Sequence, residues 1–379
     1  MEKVVDEKKV IRQIRMDRDI DCIAIVISSW HYLNALAAME LLLKYGKMKK
    51  GIILACIHQQ AGFIVDERLW KADCNQYIQK EIFQFEHLPQ WKQTKAYLRE
   101  KVSDKRAFYV LRPLEPVAGF TAELWKGGVE RDFIHIVIDE GLGFYLRSAK
   151  GWRNERRIIG NNAFVSHKKE LEKWYQTLLT RIYLKNRKQL IYHTFFKKEG
   201  KKLTVNPLCK KYLCNAFERA GGIYNYGDYS IYENKLIICT QPFHDMGQID
   251  NNADIEKIRQ ICERADKEKM KVIIKPHPRE KDLGKYLEIG VEVDANNLIP
   301  LEIIIAGLKN KPKAIVGITT TTLVTANILW GINTVSVVNL INKINFHKEV
   351  KEDIDNFPKL FSEYVKIPQK TEALFRDVF

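Results

Sequence analysis

The segment Lys275-Pro276-His277-Pro278 carries side chains that could do chemistry. It directly follows the run Val272-Ile273-Ile274, and an apolar run of this kind is typical of a buried parallel strand. This order places an imidazole and an ammonium group at the carboxyl end of a strand, where open α/β sheets bind their ligands. The two prolines fix φ on either side of the histidine and restrict its backbone. A restrained histidine beside a lysine suits an anionic ligand. The alternative is a strand-ending turn whose histidine is merely solvated.

A second strand pattern, from Phe133 to Ile138, leads directly into Asp139, Glu140 and Gly141. Adjacent carboxylates repel each other, which makes one of them a candidate proton acceptor. The glycine allows a sharp turn or a close approach to a ligand. The sequence therefore predicts a general base at this strand end. Asp139 is favoured over Glu140 because it comes first after the strand, where its position is best defined.

A third element is the strand pattern Ala314 to Ile318, which is followed by four threonines, Thr319 to Thr322, and by an apolar helical run. Threonine hydroxyls and the amide groups at a helix N-terminus together can bind an anion. The alternative is that the threonines only cap the helix.

In this order, the three elements resemble the bacterial sialyltransferases and polysialyltransferases. The shared marks of that family are an acidic pair with a glycine, a His-Pro motif and a later pair of hydroxyl residues. The resemblance extends to Ser28 to Ala35, which looks like the family's first strand-to-helix turn, and to Cys239 to Pro242, which looks like the turn that opens its nucleotide half. It implies an α/β fold of GT-B type, with two Rossmann-like domains facing a cleft.

The resemblance also implies roles for individual residues. Asp139 or Glu140 would be the base, and His277 would serve the donor phosphate as it leaves. Thr320 and Thr321 would form the hydroxyl pair, although the family usually has two serines here, so the register within the threonine run stays open. The other donor-side candidates are Lys275, Pro278, Thr319, Thr322, Glu302 and Gly317, and the acceptor-side candidates are His31 and Gly141.

Some of these assignments have alternatives. Asp245 and Asp254 follow the Cys239 to Pro242 turn and are alternative bases. Asp254 and Glu302 also suit the first turn of a helix, where a carboxylate complements the dipole. His31 could equally cap a helix or be solvated.

The activity implied by the resemblance is inverting transfer of sialic acid from CMP-sialic acid to a cell-surface saccharide, either a lipooligosaccharide or a capsular glycan. We expect no cofactor and no metal, because cationic side chains and helix dipoles can stabilise the leaving phosphate. The alternative is a CDP-glycerol-type glycerophosphotransferase, or another cytidine-nucleotide-dependent capsule or wall transferase, which shares the Lys-x-His-Pro pattern. The acidic pair with glycine favours the sialyltransferase.

Composition is compatible with this interpretation. The formal net charge of +15 and the pI near 9.3 should attract anions, including a sugar nucleotide, an acidic glycan or an anionic membrane face. Nucleic acid is a weaker candidate partner, because no reading motif is present and the lysines are dispersed. The seven cysteines form no metal-like pairs and indicate reduced thiols. Without a signal-peptide pattern or a membrane-length apolar run, we expect a cytoplasmic protein, compatible with peripheral contact at the inner face of the plasma membrane.

Strand-like and helical patterns alternate in two parts of the chain. We predict an N-terminal Rossmann-like, acceptor-side domain over residues 1–150 and a C-terminal nucleotide-donor domain over residues 231–379. The basic, aromatic stretch between them, residues 151–230, is predicted to be a helical crossover. The acceptor sugar, the linkage, repeated transfer and the oligomeric state do not follow from the sequence.

Overall fold

A computed structural model describes residues 22–26, 28–58, 65–72, 75–85, 109–112, 134–139, 141–146, 190–199, 202–224, 229–296, 298–348 and 350–378. The described residues form two compact units. The first unit contains those up to Asp139 and residues 190–216. The second contains residues 141–146 and those from Phe217 onward.

The described elements alternate as an α/β protein requires. The strands are β1 (Cys22–Val26), β2 (Gly51–His58), β3 (Ile78–Phe85), β4 (Tyr109–Arg112), β5 (Ile134–Ile138), β6 (Leu190–His193), β7 (Phe196–Glu199), β8 (Lys202–Val205), β9 (Leu236–Cys239), β10 (Val272–Lys275), β11 (Glu292–Val293), β12 (Ala314–Gly317) and β13 (Thr334–Ser336). The α-helices are α1 (Ser29–Lys44), α2 (Glu67–Lys71), α3 (Gly143–Leu146), α4 (Pro207–Gly221), α5 (Ala253–Lys267), α6 (Gly284–Leu287), α7 (Leu301–Gly307), α8 (Thr321–Trp330), α9 (Lys351–Phe361) and α10 (Thr371–Val378).

The first unit is built on a parallel sheet with the described strand order β3-β2-β1-β4-β5-β6. Its earliest strand, β1, lies between β2 and β4, so the strand order reverses there, as in doubly wound folds. Helix α1 begins after Ser28, whose side chain accepts a hydrogen bond from the His31 N–H at 3.2 Å. The hairpin β7–β8 and helix α4 follow β6, and α4 continues into the second unit.

The second unit has a parallel sheet with the order β11-β10-β9-β12-β13. Its central strands β9, β10 and β12 are buried along their whole length, which explains their nearly continuous apolar sequences. Ile238, Ile274 and Val316 from these strands share one core with Ile261 of α5. Each such side chain contributes roughly 1.5–3 kcal/mol through its burial. This core holds the carboxyl ends of the strands in place.

The α/β class and the alternating elements confirm the predicted fold class. The predicted helical crossover over residues 151–230 differs from what is observed in its described part. Residues 190–199 and 202–205 contain three strands, of which β6 pairs with β5 in the first sheet. The run Leu190–His193 is only four residues long, which is too short to show strand alternation in sequence. Residues 151–189 lie outside the described residues.

Among the described residues, no helix combines the length and the apolar character needed to cross a membrane.

Candidate functional site

The carboxyl ends of β9 and β12 form the point at which strand order reverses in the second unit, where doubly wound sheets bind ligands. Gln241, two residues after β9, connects the two ends. Its Oε1 accepts the Thr319 N–H at 2.7 Å, and its Nε2 donates to Thr319 Oγ1 at 3.1 Å. Gly317 is the last residue of β12, and a Cβ added to it would lie only 3.1 Å from the Cys239 carbonyl oxygen. The backbones can therefore approach closely here.

His277 lies in the turn after the neighbouring strand β10 and is half-buried, as is Pro278. Its Nδ1 accepts the backbone N–H of Arg279 at 3.1 Å. Burial, together with the charge of Arg279, lowers the pKa of His277 to about 4. The ring is therefore neutral at physiological pH, with its proton on Nε2. A neutral imidazole of this tautomer is a hydrogen-bond donor through Nε2, which suits an anionic oxygen.

Lys275, the last residue of β10, is buried, and its ammonium group is already bound within the protein. Its Nζ donates to Asp294 Oδ2 at 2.6 Å and to the Asn296 carbonyl oxygen at 2.7 Å. Burial lowers the pKa of Lys275, opposed by Asp294. The geometry makes Lys275 a support for the end of β10, tying it to the segment after β11. Its predicted contact with the donor stays a prediction.

The threonine run forms the start of helix α8, with Thr320 at the N-cap position. Thr322 donates to Glu302 Oε1 at 3.0 Å, and Thr321 Oγ1 accepts the Leu142 N–H at 3.3 Å. The half-buried Thr320 makes no side-chain capping hydrogen bond. Within the run, Thr320 is thus the residue best placed to offer its hydroxyl to a ligand.

Glu302 lies in the first turn of α7 and is only 4% exposed. Its Oε1 accepts hydrogen bonds from Thr322 and, at 2.8 Å, from Thr325. Burial raises the pKa of Glu302, and these hydroxyls oppose the effect. The carboxylate joins α7 to α8. Its predicted role on the donor side stays a prediction.

Asp139 follows β5 in the first unit and is 1% exposed. Its Oδ2 accepts the backbone N–H of Phe195, which follows β6, at 2.9 Å. The ends of two adjacent strands thus orient this carboxylate. Glu140 lies outside the described residues. Gly141, the third member of the motif, has a φ of +89°, a conformation that favours glycine.

His31 is buried in the first turns of α1. Burial lowers its pKa to about 3, so the ring is neutral at physiological pH. Its Nδ1 has no hydrogen-bond partner among the described residues. The acceptor-side role predicted for His31 stays a prediction.

The two alternative bases have different environments. Asp245 is ion-paired with Lys285 and accepts the Lys281 N–H at 3.1 Å, and its pKa is lowered by these partners against the effect of burial. Asp254 is buried, burial raises its pKa, and its Oδ1 has no hydrogen-bond partner among the described residues. A raised pKa makes a better proton acceptor, so Asp254 is the stronger alternative.

Sequence reasoning did not identify Gln241 or Glu280 as functional residues. Glu280 is a buried carboxylate that accepts a hydrogen bond from the His277 backbone N–H at 2.7 Å. Glu280 lies in a run of charged residues that reads as a solvated turn, and only its position three residues after His277 hints at a local contact.

A comparison with protein families decides what kind of enzyme this is. The model of the alpha-2,8-polysialyltransferase family matches residues 76–339, which is well over half of the chain and includes all three motifs. The chain belongs to this family. It is accordingly a glycosyltransferase of the sialyltransferase class, in agreement with the resemblance of its motifs.

Solved structures show the fold of this polysialyltransferase family member. The α/β-galactoside α-2,3-sialyltransferase of Photobacterium phosphoreum is similar with a TM-score of 0.50 and 12% identity, over 92% of this chain and 98% of that chain. A protein assigned as a UDP-N-acetylglucosamine 2-epimerase from Listeria monocytogenes has a TM-score of 0.51 and 11% identity, over 95% and 87%. At such identities the likeness shows the fold alone, which is GT-B. No curated protein sequence matched.

Proposed function

We propose that this sialyltransferase moves sialic acid from CMP-sialic acid to a saccharide acceptor, with inversion at the anomeric carbon and without a metal. The single observation that carries the proposal is the state of His277. A neutral ring whose Nδ1 is occupied and whose Nε2 carries the proton is suited to donate to a phosphate oxygen. This group lies beside the reversal point of the second sheet, where nucleotides bind in doubly wound folds.

In the proposed reaction, the bond between the anomeric carbon and the CMP phosphate oxygen breaks, and negative charge develops on the phosphate. The His277 Nε2–H, the hydroxyls of Thr320 and Thr321, and the N-terminus of α8 stabilise that charge. The acceptor oxygen attacks the opposite face of the anomeric carbon, and its proton passes to Asp139 or Glu140. Proton transfer of this kind contributes about 10² to 10⁴ in rate.

The proposal of a metal-independent reaction is supported by these donors, because together they can stabilise the charge of a single phosphate. Within the described residues, the Asp-x-Asp spacing at Asp353 and Asp355 lies inside helix α9, where Asp355 pairs with Lys343. It is therefore not presented at a strand end, as a nucleotide-linked metal site would require.

We further propose a cell-surface saccharide as the acceptor, either a lipooligosaccharide or a capsular glycan, and a cytoplasmic protein that contacts the inner face of the plasma membrane. The net charge of +15 supports attraction to both acidic glycans and anionic lipids. Sedimentation with anionic and neutral vesicles at low and high salt tests the membrane contact. Binding to neutral vesicles alone would contradict it.

The test of the reaction is incubation with CMP-sialic acid or CDP-glycerol and a panel of galactosides and sialosides, with products identified by mass. We expect transfer of sialic acid from CMP-sialic acid, and a ladder of products if transfer is repeated. Transfer of glycerol phosphate from CDP-glycerol alone would instead establish the alternative transferase.

A further inference from the structure

We propose that Glu280 is the positioning residue that orients His277 for transfer. The inference rests on the proposed role of His277 toward the donor phosphate. Glu280 is 4% exposed, lies one turn of chain after His277 and belongs to none of the three motifs.

Among the described residues, at least four hydrogen-bond donors surround the Glu280 carboxylate. Its Oε2 accepts the His277 N–H at 2.7 Å and the hydroxyl of Thr240. Its Oε1 accepts the Tyr286 hydroxyl at 2.5 Å and is 3.2 Å from Lys285 Nζ. An ionised carboxylate has only acceptor positions, so it satisfies all four groups. The carboxylate thus connects the end of β9, the His-Pro turn and helix α6.

Glu280 also binds His277 through its backbone, because its own N–H donates to the His277 carbonyl oxygen at 2.9 Å. Side chain and main chain together close the turn from His277 to Glu280. The closed turn places the Arg279 N–H on Nδ1 of the His277 ring at 3.1 Å. Fixing this hydrogen bond fixes the tautomer, with the proton on Nε2. Glu280 acts on the reaction through His277 and does not itself need to touch the donor.

The chemistry of the carboxylate suggests an isosteric test. In Glu280→Gln, one oxygen is replaced by an NH₂ group, which cannot accept a hydrogen bond. Whichever way the amide faces, it meets either the His277 N–H or the Lys285 ammonium with a donor, and the charge that strengthens all four hydrogen bonds is lost. The turn should relax and the His277 ring should lose its single orientation.

We expect Glu280→Gln to lower kcat about 10²-fold, the size of effect seen when a reacting group is displaced by about 1 Å. The KM for CMP-sialic acid should change much less, because the donor-binding groups remain. Thr240→Val, which removes a hydroxyl from the same carboxylate, should change kcat in the same direction and carries the test if Glu280→Gln does not fold.

The matched control is Thr334→Val at the start of β13, which removes a buried hydroxyl bonded to the Tyr364 carbonyl oxygen at 3.4 Å. This variant should lose stability, measured by thermal unfolding, without a change in kcat. If Thr334→Val lowered kcat as much as Thr240→Val does, lost stability alone would explain the lower kcat of Thr240→Val, and the proposal would be overturned.

Two further readouts separate this inference from the proposed function. In ¹⁵N spectra, the wild-type His277 ring should show one tautomer with the proton on Nε2, and Glu280→Gln should show a mixture. In the His277→Ala background, Glu280→Gln should cause no further loss of residual transfer. The role of Glu280 would be overturned if Glu280→Gln left the His277 spectrum unchanged or kept wild-type kcat. It would also be overturned if Glu280→Gln lowered transfer in the His277→Ala background as much as it does in the wild type. Full activity of His277→Ala alone would instead overturn the proposed function.

Discussion

The backbone N–H of Leu142 donates a 3.3 Å hydrogen bond to Oγ1 of Thr321. Leu142 follows the glycine that ends the acidic motif, and Thr321 opens helix α8 in the threonine run. Gly141 packs at the same place, because a Cβ on it would lie 3.0 Å from Thr321 Oγ1. Two segments far apart in sequence are thus held together by one hydrogen bond and one close contact.

Gly141→Ala should therefore destabilise the protein and lower kcat. Alanine is strained at a φ of +89°, and its Cβ must also displace the Thr321 hydroxyl. Gly290→Ala is the matched control, since its φ is +81° but a Cβ added there would meet no atom within 4 Å, and the residue is exposed. Denaturation midpoints and kcat of both variants measure the difference. Equal effects of the two substitutions would show that the contact with Thr321 has no consequence.

His277→Ala should reduce transfer to a small residual rate with little change in thermal unfolding, because the half-buried polar ring leaves no core cavity. His347→Ala, which removes a histidine bonded to Asp250 at 2.8 Å, should retain activity. Near-normal turnover by a folded His277→Ala protein would refute the role of His277.

The pH dependence of kcat gives an independent check on this residue. The pKa of His277 is about 4, so the neutral donor form is present above that pH and is lost only below it. Titration of His277 should therefore not lower kcat between about pH 8 and about pH 5. An acidic limb near the ordinary histidine pKa that disappears in His277→Gln would contradict this.

Two buried histidines of the first unit should make stability fall in acid. Burial lowers the pKa of His193 to about 4 and that of His31 to about 3. As pH falls below the ordinary value of 6.5, the unfolded chain takes up protons that the folded chain does not. The contribution of each neutral histidine to the free energy of unfolding is therefore complete above pH 6.5 and is lost as the pH falls toward the pKa of that histidine in the folded protein. At about pH 5 the loss should be about 2 kcal/mol per histidine. Denaturant titrations at several pH values measure this, and His193→Gln should reduce the slope.

The strands of the second sheet and the polar residues that follow them could be predicted from sequence, because short apolar runs ending in turn residues are strong local signals. The buried strands β9, β10 and β12 are short apolar runs. Thr240 follows β9, Lys275 ends β10, and the threonine run comes soon after β12. The environment of each polar group could not be predicted in this way. Lys275 is buried against Asp294, and Glu280 accepts hydrogen bonds from the residue after β9, from the His-Pro turn and from α6. Tertiary packing brings these groups together, and they have no sequence signature.

Activity should survive an excess of chelator. The proposed donors to the leaving phosphate are His277, the threonine hydroxyls and the α8 N-terminus, and these do not depend on an ion. Transfer rates with and without EDTA, followed by addition of Mg²⁺, Mn²⁺ or Ca²⁺, measure this. Loss of activity that one divalent ion specifically restores would overturn metal independence.

The general base can be identified by amide substitution of the acidic pair. Asp139→Asn should lower kcat far more than it raises the KM for the donor, because the amide keeps the shape of the side chain but cannot accept a proton. Asp139 is favoured because its Oδ2 is held by the Phe195 N–H at 2.9 Å, at the ends of two adjacent strands. Glu140→Gln is the paired variant and should have the smaller effect. If both variants keep wild-type kcat, the base lies elsewhere, and Asp254, whose pKa is raised by burial, becomes the next residue to substitute.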